Sequence, residues 1–67
     1  MIRLFRKHRL IVEKAPTEKF YIVTCNKILV KDDKEIGEEQ VFSYIDYAAK
    51  NEYDAMNDAK SKIGKLI

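Results

Sequence analysis

Apolar and polar residues divide this chain into segments of two different periods. The longest apolar run is Phe20 to Val30, FYIVTCNKILV, rich in β-branched and aromatic residues that favour strands. Successive strand side chains point to opposite faces. Phe20, Ile22 and Thr24 therefore share one face, and Tyr21, Val23 and Cys25 the other. Both faces are largely apolar, so this strand calls for cover on both sides.

Upstream, Leu10-Ile11-Val12 is a strand core within residues 3–14. Residues 1–9 are basic, with Leu4 and Phe5 embedded, and form either an extension of that strand or an arm. Ala15-Pro16-Thr17-Glu18 is a turn, since Pro16 lacks an N–H donor and biases Ala15 to extended geometry. A hairpin from residues 9–14 into 19–25 follows. Asn26-Lys27 interrupts the apolar run and reads as a tight turn or a bulge, the turn being preferred. Asp32 to Gly37 is a polar hairpin loop. Residues 38–50 fit either period, and the aromatic and β-branched content of 41–47 favours a strand.

The period changes at Asn51, which reads as an N-cap with Asp54 three residues on. Tyr53, Met56, Ala59, Ile63 and Leu66 then recur at helical spacing, predicting a helix over 51–66. Its acids come early and its lysines late, as the helix dipole prefers. The expected fold is α+β: an antiparallel β-meander of three to four strands with one C-terminal α-helix packed on one face.

At 67 residues the chain is one small domain, which buries only about 60% of its unfolded surface. Hydrophobic residues at 46% and charged ones at 36% mark it as globular. No apolar run approaches the roughly 18 residues of a membrane span, and no signal peptide is legible. Cys25 is the only cysteine, so no internal disulfide forms and a cytoplasmic location is expected.

Charge is uneven. Residues 1–31 hold eight Lys/Arg against two Glu, while residues 32–67 hold five Lys against nine Asp/Glu. This asymmetry fits a face for an anionic partner, and equally fits two halves packed with opposite signs adjacent.

Candidate chemistry is sparse. One His and one Cys, far apart, do not suggest zinc. His8 reads as a solvated strand residue and Cys25 as a packed one. Asp32, Asp33, Glu35, Glu38 and Glu39 lack the ligand spacing of a calcium loop. The two glycines belong to no phosphate-binding pattern. No catalytic residue, metal or cofactor is expected, and the chain reads as a non-enzyme.

Two binding readings remain. Arg3, Arg6, Lys7 and Arg9 are the candidate contacts to nucleic acid. Strand alternation splits them, however, and the pI of 8.7 is below the usual value for such domains. The favoured reading is a protein-binding regulator or inhibitor that masks a surface on a larger target or pairs with a second copy. One covering helix leaves one face of the central strand open. Tyr21, Val23 and Cys25 are the expected open set, and Tyr21, Val23 and Tyr44 the candidate contacts.

Overall fold

A computed structural model describes residues 1–66. Four strands run β1 Ile2–Phe5, β2 His8–Lys14, β3 Tyr21–Lys31 and β4 Lys34–Asp46, followed by the helix α1 Glu52–Leu66. The strands form one antiparallel sheet in the order β1-β2-β3-β4, and the fold is α+β as expected.

Two turns differ from the sequence reading. The N-terminal residues are neither an arm nor an extension of β2. They form a separate edge strand, joined to β2 by Arg6 and Lys7 at φ 49° and 63°. Asp32 and Asp33, at φ 53° and 63°, join β3 to β4 in the same way, so residues 34–37 belong to β4 and not to a loop. Two consecutive left-handed residues give the hairpin turn whose twist matches that of the strands. Asn-Gly is its usual signature, and neither turn carries it, which is why the first was missed.

Asn26-Lys27 is not a turn, and β3 runs through it unbroken. The register shifts lie between Cys25 and Asn26 and between Leu29 and Val30. Both extra residues sit on β4. Val41 lies between the partners of Cys25 and Asn26, and Ile36 between those of Leu29 and Val30. Such bulges add twist and disrupt pairing on an edge strand.

The helix starts on a reciprocal cap. Asn51 Oδ1 accepts from the Asp54 N–H at 2.9 Å, and Asp54 Oδ2 accepts from the Lys50 N–H at 3.2 Å. Ala55, Met56, Ala59 and Ile63 form the buried stripe. Tyr53 is exposed instead, and the buried stripe begins at Ala55. The side chain of Leu66, the last position of the expected stripe, lies outside what is described.

The stripe packs on Leu10 and Val12 of β2 and Tyr21, Val23 and Cys25 of β3. The helix is 15 residues long and β4 is 13. At about 1.5 Å per helical and about 3.3 Å per strand residue, β4 is nearly twice the helix length. The far half of the β3–β4 hairpin therefore projects past the helix, and the molecule measures 42 × 24 × 16 Å.

Candidate docking surface

The helix covers one face of the sheet and leaves the other bare. The covered face is the reverse of the one expected. Val23 and Cys25 have no exposure and Tyr21 is buried beneath α1, so Tyr21 and Val23 are core and not surface contacts. The two candidate sets on β3 are both apolar, and β2 distinguishes them. Cys25 and Val23 pair with Leu10 and Val12, whereas Ile22 pairs with Glu13 and Asn26 with Arg9, so only the first face is apolar across both strands. Tyr44 sits at the border, half-buried against the core, with the Lys62 ammonium 4.7 Å from its ring centre.

The bare face is built by register. Ile2 pairs with Ile11, Ile11 with Thr24, and Thr24 with Ser43. One step along, Glu13 pairs with Ile22 and Ile22 with Ile45. Beyond them Phe20 and Tyr47 meet edge to face with ring centres 5.4 Å apart. Leu4, two residues from Ile2, continues the band across β1. Exposure is 59% for Ile2, 66% for Leu4, 37% for Ile22 and 43% for Ile45. A continuous apolar band of this kind differs from the scattered single residues of an ordinary surface.

One corner of this face is polar and closed on itself. Arg9 ion-pairs with Glu38 and, at 3.3 Å, with Glu35. Asn26 donates to Glu38 Oε2 at 3.0 Å, and the hydroxyls of Thr24 and Ser43 lie 3.3 Å apart. Exposed pairs of this kind contribute little stability, about 0–1 kcal/mol each. They tie the far half of the hairpin to β2 and leave the apolar band as the free surface.

Of the basic candidates only Arg6 and Lys7 come together, at the rim of one pocket. Arg9 is taken up by the two glutamates. Arg3 pairs with Leu10 and so belongs to the helix side of the sheet, opposite Arg9. The Arg6–Lys7 turn separates β1 from β2, so one strand's alternation does not run through these four residues. Arg6 lies 5.1 Å from the centre of the Phe5 ring. The imidazole Nδ1 of half-buried His8 donates to the Arg6 carbonyl at 2.7 Å.

A carboxyl pair went unnoticed in the sequence. Asp46 is buried; its Oδ1 accepts from the Ala48 and Ala49 N–H groups, while Oδ2 takes a hydrogen bond only when Asp58 carries a proton. The Tyr44 hydroxyl is buried without a partner. Asp58, from the facing turn of α1, has its pKa raised, first by hydrogen bonding to Asp46, then by burial and by the charges of Asp46 and Asp54, with Lys62 opposing. Burial, then the same two aspartates, 46 and 58, push the Tyr44 phenol up to about 12. Only an alternation reading that paired Asp46 with the second turn of the helix could have signalled this. Burial also raises the Cys25 thiol, which keeps it protonated and unreactive.

Among the described residues no group of three His, Cys, Asp or Glu side chains is placed to hold a metal ion, and no helix is long and apolar enough to cross a membrane. No family model matches this chain, and neither the curated proteins nor the solved structures yield a significant match.

Proposed function

We propose that this chain is a small non-catalytic protein-binding regulator or inhibitor, one that masks a surface on a larger target with the bare face of its sheet. The observation that carries the reading is the band Leu4, Ile2, Ile11, Ile22 and Ile45, continued by Phe20 and Tyr47. Burying such side chains gains about 25 cal/mol per Å² of apolar surface, and the rigid sheet adds no ordering cost. Aromatic and aliphatic anchors inside a polar rim are the usual composition of an interface centre. Here Glu13 and the Arg9–Glu35–Glu38 corner supply the rim. A lone, buried thiol suits a cytoplasmic setting.

A nucleic-acid role through Arg3, Arg6, Lys7 and Arg9 is the weaker reading, since Arg9 is neutralised by two glutamates and Arg3 lies outside the pocket that Arg6 and Lys7 share.

The test compares the parent with the pair Ile22→Lys, Ile45→Thr. The new lysine faces Glu13 across the strands, so the fold is retained. Both proteins serve as bait in a cell lysate after their folding has been checked by circular dichroism. The reading requires a protein retained by the parent and released by the folded variant. Identical capture by both, or a parent that sediments as a dimer the variant abolishes, would refute a heterologous target at this face.

A further inference from the structure

A pocket of about 430 Å³ opens on the helix side of the sheet, where α1 ends short of the hairpin. Its walls are Arg6, Lys7, His8, Lys27, Val41, Phe42 and Ile63. The fold brings these residues together from β2, β3, β4, α1 and the β1–β2 turn. The Arg6–Lys7 turn stands at one rim. Lys27 faces His8 across β2 and β3, so it lies on the helix side, one step past Cys25. The bulge at Val41 and its neighbour Phe42 form the apolar floor with Ile63, the last buried residue of the helix stripe.

The charges here differ from those on the other face. Arg9 is held by two glutamates, whereas among the described residues no carboxylate lines this pocket, and none is within ion-pair distance of Arg6, Lys7 or Lys27. The helix C-terminus adds about half a negative charge nearby. Three full positive charges outweigh it. Cations at the rim over an apolar floor match a ligand with the reverse arrangement. The size lies within the range of small-molecule sites.

We propose that this pocket binds a small organic carboxylate with an alkyl or aryl body. The carboxylate is held between Lys27, Lys7 and Arg6, and the body lies on Phe42, Val41 and Ile63. The site is independent of the docking face, which lies on the other side of the sheet, so either can fail without the other.

The test is an amide NMR titration of the full chain with sodium octanoate below its micelle concentration. Saturable shifts are expected at Lys7, His8, Lys27, Phe42 and Ile63. Octylammonium, which has the body without the anion, and acetate, which has the anion without the body, should each bind at least about tenfold more weakly. Lys27→Glu alters an exposed side chain and should weaken octanoate by about tenfold with the spectrum otherwise intact. Arg6→Glu serves as a second variant with the same expectation. The proposal is overturned by absence of saturable shifts at millimolar octanoate, by shifts centred on Ile22 and Ile45, or by equal binding of octylammonium. Tighter binding of an oligothymidylate at the same residues would also overturn it, in favour of a phosphate-backbone ligand.

Discussion

Ile22 and Val23 are consecutive in the chain and lie on opposite sides of the sheet, Ile22 facing solvent and Val23 sealed under the helix. Two residues of nearly equal hydrophobicity thus have opposite structural roles. Val23→Glu would place a carboxylate among Leu10, Val12, Met56 and Ala59, at a cost of several kcal/mol. A core of this size supplies only about 3–5 kcal/mol, so the variant should be unfolded. Ile22→Lys should remain folded, within about 1 kcal/mol of the parent. Urea melts followed by circular dichroism measure both. A folded Val23→Glu protein would mean the helix does not pack where it is described.

The cap at Asn51 makes a second prediction. Asn51→Ala removes the acceptor for the Asp54 N–H and should cost about 1 kcal/mol. For a domain of this size that lowers the melting temperature by roughly 4–8 °C. Asn51→Asp keeps the acceptor and should stay near the parent. If the two variants melt together, the side-chain oxygen is not the relevant group.

The β3–β4 turn holds two aspartates in left-handed geometry, which disfavours a residue with a Cβ by about 1–2 kcal/mol. Glycine has no such penalty. Asp33→Gly should therefore stabilise the protein by about 1 kcal/mol, offset in part by the greater freedom of the unfolded chain. A lower midpoint in chemical denaturation would contradict the turn geometry.

Stability should depend on pH through Asp58. Its proton is held more tightly in the fold than at the ordinary value of 3.8, mainly because it hydrogen-bonds to Asp46. Between the unfolded and folded values the native state binds more protons, so stability falls as pH rises. The contribution is fully present below 3.8 and is lost as pH passes through the raised value. Asp58→Asn retains a donor for Asp46 and does not titrate. Unfolding free energy across the mildly acidic range should decline in the parent and be flatter in the variant. Equal slopes would remove Asp58 as the cause.

Much of the architecture was legible in the chain. The helix over 51–66 was read from its period and its cap, and both hold because they depend on neighbours three or four residues away. The β2–β3 hairpin followed from Pro16 and its flanking strand residues. A strand within 38–50 followed from the β-branched and aromatic content of 41–47, and β4 runs Lys34–Asp46. The edge strand β1 and its turn were not legible, and the β3–β4 hairpin was read with a loop of six residues, Asp32 to Gly37, in place of a two-residue turn. Arg6-Lys7 and Asp32-Asp33 carry no glycine or asparagine, and strand pairing imposes the left-handed conformation on them from outside. The continuity of β3 through Asn26 was ambiguous because the compensating extra residue, Val41, lies on another strand.

The candidate site divides along the same line. That the central strand is apolar on both sides, with one helix to cover it, is a property of residues 20–25 and 51–66, and local periodicity suffices to establish it. Which side the helix takes depends on cross-strand register, which sets Leu10 and Val12 beside Cys25 and Val23 but Glu13 beside Ile22, and which assembles Ile2, Ile11, Ile22 and Ile45 into one band. Faces are set by a period within a segment. Contacts are set by packing between segments far apart in sequence, and only the assembled sheet and helix decide them.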